Sequence, residues 1–346
     1  MSAHDPFLGI DDELRVLVRA CTGSDLAAIE RLTGAGLAHR HFYRVTLRSG
    51  DPATLVARVD RGEPAPGVLP EPPLEPLRTF LEEHQLPVPR RLGGDATRGI
   101  DLLEDLGDAS LAQLVESADA GQRRALYEEA CALVPRLQRL VDPSGRVPAF
   151  DRRLDATLIR VKALRFATSG LPVVLGRAAT PAEQGVVFAA FATIAAVAAR
   201  APQRLAHRDF QSKNLIQRRH PRLLAMIDLQ GALLAPPEYD LVCLLRDTYV
   251  ELADDACTAL AEQVRPALPD APAADEFAQR FDLLTITRKA KDFALFHEVA
   301  ARGDATWLRY APDTLGYVRR ALVRVGPSNA SLARFAELLG GEACVR

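Results

Sequence analysis

The residues best suited to chemistry in this sequence lie in His207-Arg208-Asp209-Phe210-Gln211-Ser212-Lys213-Asn214 and, further along, at Asp228. Asp209 and Asn214 are five positions apart, and Asp228 follows fourteen positions later, directly after the apolar run Leu223-Leu-Ala-Met-Ile227. A carboxylate beside an acceptor hydroxyl can orient it and take its proton. A carboxamide and a second carboxylate offer the hard oxygen ligands that Mg²⁺ takes when it bridges the phosphates of ATP. The order HxDxxxxN, strand, Asp therefore suits phosphoryl transfer, with Asp209 as the base and Asn214 and Asp228 as Mg²⁺ ligands. A lone Asp or Asn is usually a polar loop residue, but that reading does not account for four elements in this order.

These groups need a loop and a strand end to converge. The run before Asp228 predicts a short strand, and Tyr239-Asp240-Leu241 opens an apolar helical stretch. Upstream, His41 to Leu47 and Thr54 to Asp60 predict an antiparallel hairpin around Ser49-Gly50-Asp51-Pro52. Leu32-Thr-Gly-Ala-Gly36 before it predicts a small loop, and the proline-rich segment from Gly62 to Pro76 a surface connection. A short helix is expected from about Leu74 to His84, then a strand over Gly99 to Asp105 ending in Leu106-Gly107-Asp108.

From Ser110 the apolar period changes to 3.6, as in Leu111, Leu114 and Val115 and again in Tyr127, Cys131, Val134 and Leu137. Thr180-Pro181-Ala-Glu183 has the form of a helix start, followed by the stripe Val187, Phe191, Ile194 and Ala198. Amphipathic stretches follow over Glu276 to Val299, Asp313 to Val323 and Ser331 to Leu339. The expected fold class is α+β, with a small antiparallel β lobe over 1–108 and a larger helical lobe over 109–346 that carries the catalytic loop and the acceptor site.

Composition narrows the partners. The 346 residues hold 43 Lys plus Arg against 45 Asp plus Glu, a net charge of -2 that gives no reason to expect nucleic acid or a membrane. The uncharged stretch from Gly185 to Ala199 is shorter than a bilayer span and reads as a core helix. Cys21, Cys131, Cys243, Cys257 and Cys344 are widely spaced and odd in number, which suggests reduced thiols in a cytoplasmic protein rather than a disulfide framework. The N-terminal residues lack the pattern of a secretory signal, and nothing demands a partner chain, so a monomer is expected.

The sequence resembles the aminoglycoside phosphotransferase and choline kinase-like family, whose fold is that of the protein kinases. The family's H-G-D-x-x-x-x-N is matched by His207-Arg208-Asp209 to Asn214, and its Ile-Asp segment by Ile227-Asp228. Within the family it is most similar to the bacterial anomeric kinases of cell-wall recycling, on the strength of Ile227 to Ala232, Tyr239 to Val250, Leu103 to Asp108 and Leu32-Thr-Gly through Val45. The resemblance implies a bilobal fold and Mg-ATP-dependent transfer to the anomeric hydroxyl of N-acetylmuramate or N-acetylglucosamine.

It also implies roles for further residues. The loop holding Thr33, Gly34 and Gly36 would cover the phosphates with its backbone N–H groups. No lysine occupies the third strand, so Arg58 is the nearest cation for the α and β phosphates, with Glu71 or Glu75 as its partner; a plain strand cation is the alternative. Glu104 and Asp105 mark the link between lobes, where family backbones contact adenine and side chains can simply face solvent. Asp240 is expected to brace the catalytic loop and His207 to pack beneath it. Arg246 and Asp247 either reach the acceptor or form ion pairs. The region usually rich in aromatics for sugar stacking offers only Phe150 and Phe166, which leaves open another acceptor such as an aminoglycoside, choline or homoserine. A non-catalytic kinase-like binding protein is a further alternative, favoured by the missing lysine.

Overall fold

The computed structural model describes residues 7–32, 40–61 and 72–340. In chain order the elements are α1 (Ile10–Thr22), β1 (Leu26–Leu32), β2 (Arg40–Leu47), β3 (Thr54–Asp60), α2 (Leu77–Glu83), β4 (Arg91–Asp95), β5 (Ile100–Glu104), α3 (Leu111–Glu116), α4 (Ala120–Gln138), α5 (Ala156–Arg165), α6 (Leu171–Leu175) and α7 (Pro181–Arg200). They continue with β6 (Arg204–Ala206), β7 (Leu215–Arg218), β8 (Leu223–Met226), β9 (Leu233–Ala235), α8 (Tyr239–Leu245), α9 (Asp254–Val264), α10 (Ala274–Ala301), α11 (Ala311–Val325) and α12 (Ala330–Leu338). The chain forms two compact units, one of residues 1–109 with Ile216–Gln230, the other of Ser110–Leu215 with Gly231–Arg346.

The first unit is built on an antiparallel sheet in the order β1-β2-β3-β5-β4. The expected hairpin is β2–β3, in register from Arg40 opposite Asp60 to Thr46 opposite Thr54. Alternation along these strands sends Tyr43, Val45, Leu55, Ala57 and Val59 to one face, where Ile10, Leu14 and Val18 of α1 cover them. Fully burying each such aliphatic side chain stabilises by about 1.5–3 kcal/mol. Neither α1 nor β1 nor β4 stood out in the sequence, and Gly23 at φ 71 is what ends α1 with a left-handed cap.

Residues 216–230, expected within the lobe beginning at 109, belong to the first unit. Ile216, Ala225 and Leu106 form a small apolar cluster, and Met226 N donates to Pro87 O at 2.8 Å while Gln217 N donates to Ala109 O at 2.8 Å.

The second unit is mainly helical. Its axis is α10, 28 residues long and so about 42 Å. It packs against α5, α7, α8 and α11, and from Phe277 to Phe296 most of its residues are buried regardless of face. The start of α7 matches its sequence signature, with Thr180 Oγ1 accepting from Glu183 N and the Glu183 carboxylate accepting from Thr180 N. This helix is long and apolar enough to cross a bilayer by length and composition, yet its Val187, Phe191 and Ile194 are buried within the unit. The short pair β6–β9, with Ala206 opposite Leu233, frames the loop that begins at His207.

Candidate active site

In the second unit the loop leaving β6 must turn sharply. Arg208 does so at φ 76, a left-handed conformation that costs an L side chain roughly 1–2 kcal/mol. This accounts for glycine in the usual H-G-D form. The surrounding bonds hold the turn: Asp240, at the start of α8, accepts from His207 N at 2.7 Å and from Arg208 N at 3.0 Å. Arg208 O accepts from Arg288 Nη1 at 3.0 Å and from the Cys243 thiol at 3.2 Å. Burial raises the Asp240 carboxyl to about 6, although His207 and the two backbone donors pull it down. His207 is 2% exposed and its ring meets Phe210 at 5.8 Å.

Beyond the turn, Asn214 Nδ2 donates to Asp209 O at 2.8 Å, which closes the loop between them and leaves the carboxamide oxygen as an acceptor. The Asp209 side chain is 27% exposed, and its Oδ1 accepts from Arg288 Nη1 at 2.8 Å. Burial would raise this carboxyl, but Arg288, Arg208 and Lys291 outweigh it and hold it well below the usual carboxylate range. Arg288 is itself fixed one helical turn on, its Nε donating to Asp292 Oδ2 at 3.2 Å. Asp292 also faces Lys291 Nζ at 2.6 Å and Lys289 Nζ at 3.4 Å, and these cations keep it strongly acidic despite its burial.

Arg246 and Asp247 divide. Arg246 is buried, pairs with Asp254 and lies against the rings of Phe281 and Tyr317, so it takes the ion-pair alternative. Asp247 is 1% exposed and accepts from Ser212 N at 2.7 Å and Tyr249 N at 3.2 Å, which ties the loop from His207 to Asn214 to the segment after α8.

In the first unit Asp228 follows β8, also at positive φ (62). Its side chain is 42% exposed, Oδ1 accepts from Gln230 Nε2, and Arg40 Nη1 lies 3.8 Å from the same oxygen. Arg40 is 3% exposed and its Nε also donates to Asp60 Oδ2 at 3.1 Å. Arg58 pairs with Asp60 and, at 3.1 Å, with Asp101. Burial and the neighbouring Arg40 lower its proton affinity, against the pull of the two aspartates. Glu75 is not its partner, because Glu75 is taken up by Arg78 and Thr79 of α2. Glu71 lies outside the described residues, as do Thr33, Gly34 and Gly36.

The side chains of Glu104 and Asp105 do not face solvent, at 13% and 7% exposure. Glu104 takes Arg218 at 3.0 Å, and Asp105 takes Arg44 at 2.8 Å and Gly107 N at 2.9 Å. The cause is charge balance: Arg44 of β2 and Arg218 of β7 pair with these carboxylates, so they need not remain in water.

Sequence reasoning missed Arg288, Asp292 and Arg40. The run Arg288-Lys-Ala-Lys-Asp292, between Leu283-Leu284 and Phe293, gave a usable signal, since charges set so densely among apolar neighbours are paired or functional. Each unit by itself offers hard oxygen donors of the kind Mg²⁺ takes. Among the described residues no three His, Cys, Asp or Glu side chains gather as a metal cluster. Mg²⁺ in nucleotide sites takes one or two protein oxygens plus phosphate and water. The free carboxamide oxygen of Asn214 and the part-exposed carboxylate of Asp228 are donors of that kind.

The phosphotransferase enzyme family profile matches residues 30–280. An N-acetylmuramate/N-acetylglucosamine kinase from Neisseria meningitidis serogroup B is 30% identical over 263 residues, covering 74% of this chain and 76% of the relative. One of the same name from Pseudomonas aeruginosa is 26% identical, covering 78% and 79%. Among solved structures, choline kinase LicA from Streptococcus pneumoniae superposes with a TM-score of 0.59 at 13% identity, covering 94% of this chain and 98% of its own. The gentamicin complex of APH(2'')-IIa gives 0.61 at 13%, covering 92% and 97%. At such identity these two establish a kinase-like fold.

Proposed function

Because this chain belongs to the phosphotransferase enzyme family, we propose that it is an ATP-dependent sugar kinase that phosphorylates the anomeric hydroxyl of N-acetylmuramate or N-acetylglucosamine. The observation that carries the reading is the ordered loop from His207 to Asn214, in which Asp209 keeps a part-exposed carboxylate on a rigid frame. The acceptor identity is supported by two relatives named for these sugars.

In this reading the acceptor hydroxyl donates to Asp209, which aligns its oxygen and takes the proton as the bond to phosphorus forms. A carboxylate this acidic is a weak base, so its main contribution is orientation, with proton transfer late along the reaction. Asn214 and Asp228 would hold Mg²⁺, which when bound neutralises charge on the ATP phosphates. Asp240 and Asp247 keep the loop in shape through its backbone N–H groups. Arg40 and Arg58 are the cations the first unit offers in place of the missing strand lysine.

Asp209→Asn is isosteric and should lower kcat by about 10²–10⁴-fold with ATP affinity within error and the circular dichroism spectrum unchanged, while loss of the charge facing Arg288 lowers the melting temperature. The assay is ADP release with each sugar, with phosphorus NMR identifying the phosphorylated position. Unchanged turnover in this variant would sink the role of Asp209, and a product phosphorylated away from C1 would sink the anomeric assignment.

A further inference from the structure

The second unit supplies the aromatic surface that the sequence seemed to lack. Tyr249, Trp307 and Tyr310 meet edge to face or tilted, with Tyr249 to Trp307 at 5.9 Å, Tyr249 to Tyr310 at 5.6 Å and Trp307 to Tyr310 at 6.3 Å. All three are part-exposed, whereas Phe296 behind them is buried and lies nearly parallel to Trp307 at 6.3 Å. Two exposed cations rest on this surface. Lys213 Nζ lies 3.8 Å from the centre of the Tyr249 ring and 4.9 Å from that of Trp307. The Arg309 guanidinium lies 4.7 Å from the Tyr310 ring and donates to its hydroxyl at 2.8 Å.

The cluster is tied to the catalytic loop in two ways. Lys213 belongs to the loop itself, between Asp209 and Asn214, and the Asp247 carboxylate grips both Ser212 N and Tyr249 N. On α10, Arg288 binds Asp209 and Phe296 supports Trp307 two turns later, a rise of about 12 Å. That is the scale of a substituted sugar ring reaching away from its reacting hydroxyl.

We propose that Tyr249, Trp307 and Tyr310 line the platform that receives the acceptor ring, and that Lys213 and Arg309, which lie over these rings, pair with a carboxylate on the acceptor, so that the chain favours an acidic amino sugar over a neutral one. The proposal rests on the kinase reading above and adds its acceptor class. The part-exposed rings match the C–H patches of a pyranose, and the two exposed cations over them match an anion better than a second cation. Of the two sugars, N-acetylmuramate carries a lactyl carboxylate and N-acetylglucosamine does not. Of the neighbouring acids, Asp304 is already engaged with Thr306 N and the Trp307 indole, and Asp247, whose charge acts on Lys213, with Ser212 N and Tyr249 N.

Trp307 is the sole tryptophan of the chain, so its fluorescence reports binding directly. In Asp209→Asn, titration with N-acetylmuramate should change that emission saturably, at lower concentration than N-acetylglucosamine. Trp307→Ala should raise the acceptor KM about tenfold or more with the ATP KM unchanged, and Trp307→Phe should restore most of the loss. Lys213→Met combined with Arg309→Met should lower the ratio of kcat/KM for N-acetylmuramate over N-acetylglucosamine at least tenfold, and Lys213→Arg should keep it. A flat emission at sugar concentrations that saturate turnover, or an unchanged ratio in the double variant, overturns the platform. The binding arm needs no catalysis: saturable emission changes in a wild type that phosphorylates neither sugar would sink the kinase acceptor while the platform stands.

Discussion

At the scale of single residues, the role proposed for the Asp209 carboxylate sets two tasks that pull apart: accepting a hydrogen bond and taking up a proton. Arg288 and its neighbours hold Asp209 ionised and oriented, which favours accepting a hydrogen bond and disfavours keeping a proton. Across roughly pH 5–8 its charge should therefore be constant, so an acid limb in kcat/KM there belongs to another group. Removing the facing cation reverses this. Without the guanidinium the ionised form loses support, the carboxyl pKa rises, and the acid limb moves to higher pH. Arg288→Gln should thus lower kcat/KM by about 10- to 100-fold and shift the limb upward, whereas Arg288→Lys keeps a positive charge and should keep the limb low. Parallel pH profiles for the two variants would rule out charge as the cause. Circular dichroism must accompany the comparison, because Arg288→Gln also leaves Asp292 short of one partner.

At the scale of elements, α5 and α8 meet through an unusual pair. Lys162 on α5 is 6% exposed and donates from Nζ to the Tyr239 hydroxyl of α8 at 2.9 Å. Burial, then the nearby charges of Arg288 and Lys291, lower its pKa to about 7. The sign follows from linkage. Between pH 7 and the ordinary lysine value of about 10.4 the unfolded chain binds the proton and the folded one does not, so this group makes stability rise with pH in that window. Below pH 7 its full destabilising effect is present. Lys162→Met, which keeps the stem, should raise the melting temperature most at pH 6–7, with the gain shrinking toward pH 10. A gain equal at pH 6, 8 and 10 would mean that packing, not the ammonium, accounts for it.

At the scale of the whole molecule, the motif residues are distributed over both units. Asp209 and Asn214 belong to the second, and Asp228 with Arg40 and Arg58 to the first. A ligand that binds only the folded chain stabilises it by about 2.7 kcal/mol at a hundredfold excess over Kd. Mg²⁺ with a non-hydrolysable ATP analogue should therefore raise the melting temperature by several degrees, and EDTA should remove most of that shift. Asn214→Ala and Asp228→Ala should each blunt the magnesium-dependent part. An equal shift in EDTA would count against both residues as metal ligands.

The sequence by itself determined the local features: the HxDxxxxN spacing, the β2–β3 hairpin, the Thr180–Glu183 capping box of α7 and the three C-terminal helices α10, α11 and α12. Each is written in a few neighbouring residues, as a period, a cap or a turn. What it left open depends on partners far apart in the chain. Arg288 meets Asp209 across 79 positions, and Arg44 meets Asp105 across 61, so neither pairing has a local signature. The same reason moved Glu104 and Asp105 from solvent into ion pairs with Arg218 and Arg44, whereas Arg246 pairs with Asp254 eight positions on and Glu75 with Arg78 within one helical turn. The cluster of Tyr249, Trp307 and Tyr310 likewise has no local signature: it forms because α10 carries Phe296 against Trp307 and Tyr310. Periodicity fixes which face of a helix is apolar; only tertiary packing decides which distant residue that face meets.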